Sequence, residues 1–412
     1  MRKYKLGDIA TVEISGVDKK IKDGEKEIRL CNFVDVYYNW AITTAQHDSF
    51  MLTTARPNEI SKFKLKKGQV ALTKDSETRD DIGIPTYIAD DFDDAILGYH
   101  CALVTPNKDI LDGRYLNALL HTDYAKKYFA CNASGSGQRY ALSVEALNSF
   151  PVPIIPLHEQ KQIGEIFSAL DKKIELNKRI NQNLEAMAKQ LYDYWFVQFD
   201  FPDENGQPYK SSGGKMVWNE KLKREIPKGW NVAKLTDKIE LQYGFPFSTD
   251  LFTEQVTSVP VVRIRDILDN SISAYTTEEV EERYLLQKQD LLIGMDGNFH
   301  INYWTDNVSY LNQRSVRLRA KNNSNVSIVQ AKYDIQPYIK AKETRTKGST
   351  VGHLSDKDMK ELYVLVCPNE KAREKLDSIL SMIVKNRNEV TFLIKQRNEL
   401  LPLLMNGQII IE

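Results

Sequence analysis

The sequence predicts an α+β fold in which two similar mixed α/β domains are separated by two long helices that pair as an antiparallel coiled coil. Two observations lead to this prediction. A set of short segments occurs twice along the chain, and each copy is followed by apolar residues at a 3.5-residue period, which is typical of coiled coils. The length of 412 residues also exceeds what one compact core accommodates, so more than one domain is expected.

The internal repeat consists of four segments that recur in the same order. The first pair places Lys, Leu and Asp at matching positions, the second is rich in β-forming residues, and the third combines a turn, a buried strand and a polar loop. The fourth has a Gly-Ser loop, a Leu-Ser pair that caps a short helix, and a strand that ends in proline. The pairs are 5–16 with 234–245, 28–36 with 261–268, 65–76 with 285–298, and 135–156 with 347–368. We therefore expect two copies of one folding unit.

The apolar stripes predict two helices of roughly 35–40 residues, or about 50–60 Å at 1.5 Å per residue. A polar residue at a seam fixes register at a cost in stability, and this role falls to Asn177, Asn181, Asn386 and Arg397. The alternative is that each helix is amphipathic and lies on a separate core. The predicted seam residues are Ile163, Phe167, Leu170, Ile174, Leu184 and Leu191 in the first helix and Leu376, Ile379, Ile383, Val390, Leu393 and Leu400 in the second.

Changes in composition set the predicted domain boundaries. The N-terminal domain covers 1–155 and ends in a strand that prolines stiffen, and the first long helix covers 156–197. A connector rich in Gly, Pro, Ser and Lys covers 198–229. The second domain covers 230–367, the second long helix 368–405, and a tail 406–412.

Charge and residue types narrow the class of function. The 56 basic and 56 acidic residues cancel, so any contact with phosphate must come from local basic loops. The four cysteines form no C-x-x-C pair and the six histidines show no metal-ligand spacing, so no metal site is predicted. No run of about 18 apolar residues occurs, and the start lacks the features of a signal peptide. We expect a cytoplasmic protein without a membrane partner.

Three segments resemble the specificity (S) subunit of type I restriction–modification systems: residues 150–196, which begin FPVPIIPLHEQ, residues 208–230 and residues 393–409. The resemblance implies a non-catalytic subunit in which two target-recognition domains read a bipartite site in double-stranded DNA. It also implies that the chain carries two methyltransferase (M) subunits, which restriction (R) subunits join. S-adenosylmethionine, ATP and Mg²⁺ would belong to those partners, with no cofactor and no catalytic residue in this chain.

The absence of catalytic motifs agrees with that interpretation. The sequence contains no Asn-Pro-Pro-aromatic tetrapeptide, no G-x-G-x-x-G after a strand and no G-x-x-x-x-G-K-[ST] phosphate loop. Two alternatives stay open. An S-like regulatory or scaffold protein would bind M subunits without reading DNA, and a stand-alone DNA methyltransferase or nuclease would carry a site that these motifs do not reveal.

Candidate DNA contacts lie in loops that can bring side chains and backbone N–H groups to phosphates and base edges. In the Gly-Ser loop the glycines permit close approach, while glutamine can read adenine and arginine can read guanine. The first-domain candidates are Ser134, Gly135, Ser136, Gly137, Gln138 and Arg139, with Lys74, Ser76 and Arg79 after a buried strand. The second-domain candidates are Arg345, Lys347, Gly348, Ser349 and Thr350 in the equivalent loop, Asp296, Asn298 and His300 after the equivalent strand, and Gln242 and Tyr243.

A cluster of large aromatic residues ends the first long helix. Tyr192, Tyr194, Trp195 and Phe196 are more than the seam between two helices requires. Because large exposed apolar surface marks interfaces, we expect the M subunits to bind there. The alternative is that these side chains pack on the second domain.

Overall fold

The computed structural model describes residues 2–256, 258–346 and 352–405, without the side chains of Ser136, Arg345 and Thr346. It divides into two compact units. The first unit comprises Met1–Glu175 with Phe392–Glu412, and the second comprises Leu176–Thr391. Each long helix contributes one part of its length to each unit.

Within its described residues, the first unit has 13 strands and six short α-helices before the first long helix. The strands are β1 (Arg2–Lys5), β2 (Ala10–Ile14), β3 (Lys26–Cys31), β4 (Ala41–Ile42), β5 (Met51–Ala55), β6 (Val70–Thr73), β7 (Asp75–Ser76), β8 (Pro85–Ile88), β9 (Ala95–Leu97), β10 (Cys101–Pro106), β11 (Ser134–Ser136), β12 (Arg139–Ala141) and β13 (Pro151–Ile154). The helices are α1 (Leu6–Ile9), α2 (Phe33–Tyr38), α3 (Pro57–Phe63), α4 (Gly113–Leu120), α5 (Asp123–Asn132), α6 (Val144–Asn148) and the long α7 (Leu157–Tyr192).

The core of the first unit is built on a five-stranded sheet in the order β2-β10-β6-β8-β4. Because successive side chains of a strand point to opposite faces, Val70 and Leu72 pack on one side with Tyr115 and Phe129. Ala71 packs on the other side, against the smaller sheet β5-β3-β9. The sheet is therefore buried on both faces, and polar loops leave it at the strand ends.

The second unit repeats this plan. Its strands are β14 (Met216–Asn219), β15 (Arg224–Pro227), β16 (Asn231–Lys234), β17 (Ile239–Tyr243), β18 (Phe252–Thr253), β19 (Val259–Val262), β20 (Ala274–Thr276), β21 (Leu291–Gly294), β22 (Ile301–Tyr303), β23 (Tyr310–Leu311), β24 (Ser315–Ala320) and β25 (Tyr363–Val366). Its helices are α8 (Leu235–Lys238), α9 (Ile328–Thr346), α10 (Asp356–Lys360) and the long α11 (Glu370–Met405).

The sheet order confirms the predicted repeat. The second unit has β17-β24-β21-β22 where the first has β2-β10-β6-β8, and β16 pairs with β25 as β1 pairs with β13. The short helices α1 and α8 each begin with a fully buried leucine, Leu6 and Leu235. The α+β prediction with two similar domains and two long helices is correct.

Both long helices contain 36 residues, within the predicted length. In the first unit Ile163 and Phe167 share a core with Leu401 and Leu404, and the Arg397 guanidinium lies 3.7 Å from an Asp171 carboxylate oxygen. Residue numbers therefore fall along one helix as they rise along the other, so the helices run antiparallel there. All twelve predicted seam residues are buried or half-buried.

The polar residues of the seam bond to one another in the second unit. Asn386 Nδ2 donates to the Asn177 carbonyl oxygen at 2.7 Å and to Asn181 Oδ1 at 3.1 Å. Asn177 and Asn181 are buried. Only one register of the two helices brings these groups together, so the pattern specifies how they pair.

A buried glutamine anchors the start of α7 on the first unit. Gln160 is fully buried; its Oε1 accepts from Asp112 N at 2.9 Å, and its Nε2 donates to the carbonyls of Ile110 and Ile155, both at 2.9 Å. The strand before it, β13, pairs with β1, with Pro153 opposite Lys3 and Pro151 opposite Lys5. Strand and glutamine together fix the direction in which α7 begins.

Segment 198–229 contributes to the core of the second unit. It contains the hairpin of β14 and β15. Phe199 and Phe201 pack around Trp230, with ring centroids 5.6 Å and 5.0 Å from it. The sequence reading of this segment as a connector with turns missed this packing because its aromatic residues follow no periodic pattern.

Candidate nucleic-acid interface

The structure brings two predicted loops of the first unit together. The hairpin of β11 and β12 carries the Gly-Ser loop, and β12 pairs with β7, which follows the buried strand β6. Tyr140 is opposite Ser76, and Ser136 is opposite Arg139. Candidates that are about 60 positions apart in sequence therefore lie in one three-stranded sheet.

Glycine is required at the base of that hairpin. Gly135 has φ of 130°, and a Cβ on it would lie 2.2 Å from the Arg139 carbonyl oxygen. Gly137 has φ of 77° and forms the tight turn. The two glycines let the strands approach closely and place Gln138 and Arg139 at the exposed tip.

Asp75 organises the charged groups beneath the tip. Its carboxylate binds the Lys74 ammonium at 2.8 Å and the His100 ring, and the Arg139 guanidinium lies 3.6 Å away. Burial opposes ionisation of Asp75, but hydrogen bonds from Lys74 and His100 outweigh it and hold the pKa of this carboxyl below its ordinary value. A charged Asp75 attracts the Arg139 guanidinium, although the Arg139 side chain as a whole remains 65% exposed.

The other first-unit candidates have different surroundings. Lys74 is only 18% exposed and its ammonium is bound to Asp75, so it faces the cluster more than the solvent. Ser76 Oγ accepts from Thr78 N at 3.2 Å. The Arg79 guanidinium lies 5.1 Å from the centre of the Tyr140 ring, which holds it beside the hairpin.

The second unit has the same arrangement around Asp296. This carboxylate binds Arg314 Nη1 at 3.2 Å and His353 Nδ1 at 2.6 Å. His353 lies opposite Asp296 in an isolated antiparallel bridge. An aspartate after the central buried strand therefore gathers basic side chains in both units.

Backbone hydrogen bonds show that the two clusters are equivalent position by position. In each unit, the N–H of the residue before the aspartate donates to the carbonyl of the residue that precedes the neighbouring strand, and that residue has a positive φ. The carbonyl of the residue before the aspartate accepts from the N–H of the leucine that lies two residues before α6 or α10. The bonds are Lys74 N to His100 O and Leu142 N to Lys74 O in the first unit, and Met295 N to Arg314 O and Leu354 N to Met295 O in the second, all at 2.8 Å. His100 and Arg314 have φ of 70° and 67°.

Two other candidates of the second unit, Asn298 and His300, line a cleft beside this cluster. Gln242 and Tyr243 lie in β17 and are half-buried. Gln242 Nε2 donates to the Tyr243 carbonyl at 2.9 Å, and the Tyr243 hydroxyl donates to Asp356 at 2.7 Å. The main contacts of these two residues are thus within the unit.

The second Gly-Ser loop falls largely outside the described part of the chain. Arg345 belongs to the last turn of α9, and its side chain is not described. Lys347, Gly348, Ser349 and Thr350 lie outside the described residues.

The sequence reading missed a short helical turn beside each cluster. Segments 28–36 and 261–268 read as β-rich runs, yet the strands end at Cys31 and Val262, and α2 and the 3₁₀ turn Ile264–Asp266 follow. An aspartate at the third helical position accepts from the backbone before each turn, at 2.7 Å for Asn32 N and 2.9 Å for Arg263 N. The shared x-x-x-Asp spacing is a capping signal that could have revealed both turns.

The expected partner surface at the end of α7 is corrected for three of its four residues. Tyr192, Trp195 and Phe196 are buried in the core of the second unit. Phe196 lies 5.4 Å from Trp230, and Tyr192 lies 5.0 Å from Tyr333, between ring centroids. Only Tyr194, which is 40% exposed, can meet a partner.

The described ranges contain no group of three or more His, Cys, Asp or Glu side chains that could hold a metal ion. No helix within them is long and apolar enough to cross a membrane. The two clusters place basic side chains around an aspartate, and exposed basic side chains on loops suit the binding of phosphates and base edges.

Known proteins similar to this chain point to one family. The model of the type I restriction modification DNA specificity domain matches residues 1–186 and 227–400. The chain is 24% identical over 318 residues to the type I restriction enzyme MjaIX specificity subunit of Methanocaldococcus jannaschii, across 74% of this chain and 71% of that protein. It is 24% identical over 373 residues to the putative MjaX specificity subunit of the same organism, across 86% and 81%.

A solved structure has the same fold. The crystal structure of the S subunit of a type I restriction–modification system from M. genitalium matches with a TM-score of 0.58 and 15% sequence identity. The match covers 98% of this chain and 95% of that chain. It therefore extends over both units and both long helices.

Proposed function

Because the chain belongs to the type I restriction–modification DNA specificity family, we propose that it reads a bipartite DNA target, one half with each unit, and scaffolds the M and R subunits. The chain is a DNA-recognition subunit and not itself an enzyme. The M subunits would supply adenine methylation, and the R subunits would supply cleavage.

The proposal of a bipartite target rests on the occurrence of equivalent aspartate clusters, one in each unit. Asp75 and Asp296 each gather basic side chains just after the central buried strand of their unit. Two equivalent surfaces in one chain are suited to two separate stretches of duplex, as dimeric DNA-binding proteins bind two half-sites. The backbone hydrogen bonds around the aspartate are the same in both units, whereas the exposed side chains differ. The two halves of the DNA target would therefore have different sequences.

Exposed apolar residues on α7 support the scaffold. Leu176, Ile180 and Met187 are 56%, 39% and 45% exposed. Their spacing of four and seven residues places them on one face of the helix. Met382 on α11 is 44% exposed. A helix face of this kind is suited to packing against helices of another subunit.

The bipartite target is tested by expressing the chain with its M subunits and mapping methylated adenines. We expect one motif of two defined parts with an unread gap, which disappears when the chain is omitted. A continuous motif, or the same motif without this chain, would contradict the proposal. M-subunit binding without any motif would instead favour the regulatory protein that does not read DNA.

The scaffold is tested by placing charge on the exposed face of α7. The double variant Leu176→Glu, Ile180→Glu should lose co-purification with the M subunit while the melting temperature of the isolated chain stays unchanged. Val308→Glu is the matched control, because Val308 is 62% exposed in a loop of the same unit. Equal retention of the M subunit by the double variant and the control would refute this interface.

A further inference from the structure

Each unit has a cleft between its helical turn and its aspartate cluster. The first, of about 640 Å³, lies between α2 and the loop at 75–78, and Asp81, His100, Gln138 and Arg139 complete its lining. The second, of about 440 Å³, lies between residues 263–265, at the start of the 3₁₀ turn, and Asn298; His300, Asn312, Gln313 and Arg314 complete its lining. The two clefts share at least one equivalent position, because His100 and Arg314 make the same backbone bond.

The helical turns occupy equivalent places but carry different chemistry. Counting from the capped residues Asn32 and Arg263, Val34 corresponds to Arg265. Val34 and Tyr38 lie four residues apart on one face of α2 and are 55% and 75% exposed. The first cleft therefore has an apolar and aromatic wall.

The second cleft has a wall of guanidinium groups. The side chains of Arg265 and Arg314 are 67% and 61% exposed. Arg265 Nε donates to Ser273 Oγ at 3.1 Å, which fixes the side chain through its inner nitrogen and does not use its two terminal nitrogens. Arg314 is fixed in turn by Asp296 at 3.2 Å. Two exposed, pre-oriented arginine forks thus share one cleft.

The two cleft walls can contact different DNA bases. An arginine fork makes two hydrogen bonds to O6 and N7 of guanine in the major groove, whereas an apolar side chain contacts the C5 methyl of thymine. Lysine is not an equivalent replacement for arginine in a two-bond contact, because its ammonium is a compact point charge on a flexible stem and lacks the planar fork of donors. The identity of the exposed residue on each turn therefore decides which base fits.

We propose that the helical turns are the specificity-determining elements of the two halves: Arg265, supported by Arg314, reads guanine in the half bound by the second unit, and Val34 with Tyr38 reads a thymine methyl in the half bound by the first. This inference rests on the proposed bipartite function and names the base classes that each cleft takes. It assigns readout to segments outside the Gly-Ser loops.

The test compares the methylated motif of complexes assembled with Arg265→Ala, Arg265→Lys or wild-type chain. Both variants should lose about 5- to 150-fold of the preference for guanine at one position of one half-site, as expected for a two-bond contact. The other half-site should stay unchanged. Arg283→Ala is the control, because Arg283 is a similarly exposed arginine, 59%, of the same unit outside the cleft.

The first half is tested with a base analogue. Replacing thymidine by deoxyuridine in the DNA removes only the C5 methyl group. The wild-type complex should lose affinity when this replacement is made at one position of the half-site bound by the first unit. Val34→Ala should show a smaller loss on the same replacement. Unchanged melting temperatures of all variants exclude unfolding as the cause.

Failure of the inference is distinguishable from failure of the proposed function. A wild-type complex without a bipartite motif would overturn both. A bipartite motif with no guanine in either half, or one that Arg265→Ala and Arg265→Lys leave intact, would overturn only the inference. A third outcome would also overturn the inference: Arg265→Ala weakens methylation equally at all DNA sequences, and Arg265→Lys methylates like wild type. That result would mean that Arg265 contacts a phosphate and not a base.

Discussion

A buried carboxylate in the second unit should make the stability of that unit depend on pH. Asp334 of α9 accepts from the Tyr192 hydroxyl at 2.7 Å, from Leu365 N at 3.1 Å and from Gln330 Nε2 at 3.2 Å. It thereby joins the end of α7 to α9 and β25. Desolvation by burial outweighs these hydrogen bonds and raises the pKa of Asp334 from 3.8 to about 6.

The magnitude follows from that pKa. One pKa unit is worth about 1.4 kcal/mol, so the shift from 3.8 to about 6 corresponds to about 3 kcal/mol. Between these values the folded state binds more protons than the unfolded state, so the free energy of unfolding falls as pH rises. The loss is complete above pH 6, and below pH 3.8 the group contributes no pH dependence.

The variant Asp334→Asn removes the titration while it can retain the hydrogen bonds, with its amide nitrogen towards the Tyr192 oxygen. We expect its free energy of unfolding, relative to wild type, to increase by about 2.5 kcal/mol between pH 4 and pH 7, because the unfolded carboxyl is already partly ionised at pH 4. Urea unfolding followed by tryptophan fluorescence measures this, because four of the five tryptophans lie in the second unit.

The control for this measurement is Glu220→Gln, because Glu220 is an exposed carboxylate in the turn between β14 and β15. Its difference from wild type should not change across the same pH range. A pH-independent difference between Asp334→Asn and wild type would refute the reasoning, since it would mean that Asp334 titrates alike in both states.

Three further substitutions test the loop, the seam and the core. Gly135→Ala places a Cβ 2.2 Å from the Arg139 carbonyl oxygen, so we expect weaker DNA binding by the assembled complex in a gel shift with little change in melting temperature; wild-type affinity would contradict this. Asn386→Ala removes the donor to the Asn177 carbonyl and to Asn181 Oδ1 in the buried seam and should cost about 1–3 kcal/mol in urea unfolding; a cost near zero would show that these bonds are not needed. Phe167→Ala removes a side chain that is 1% exposed and should cost the first unit about 3–5 kcal/mol, measured by hydrogen exchange of first-unit amides; protection equal to wild type would contradict it.

The features that repeat or follow a period could be predicted from the sequence. Apolar residues at a 3.5-residue period indicate paired helices, because a paired helix must bury one face along its whole length. The lengths of α7 and α11 agree with the lengths predicted from this pattern. The repeated Leu-Ser before α6 and α10 reports a helix start because hydroxyl caps are local. Both signals are read from neighbouring residues alone.

Contacts between distant segments could not be predicted in this way. The aromatic residues Trp195 and Phe196 gave no sign of whether they face a partner or a core, because large apolar side chains suit either environment. Trp230, which fills that core, lies over 30 positions later in the chain. Gln160 likewise looks like an ordinary polar helix residue until its three backbone partners, two of them about 50 positions earlier, are known.

The clefts show why the fold of such a subunit can be predicted from its sequence although the DNA bases that it reads cannot. The bonds that align each cleft come mainly from backbone atoms, so they accept Lys74 in one unit and Met295 in the other. Asp75 and Asp296 are the shared side chains, and each needs only a basic partner, which can be histidine or arginine. Exposed positions such as Val34 and Arg265 are therefore free to change without loss of the fold. A subunit whose targets diverge gains from this separation, because specificity can change at a few exposed residues while stability stays with the buried ones.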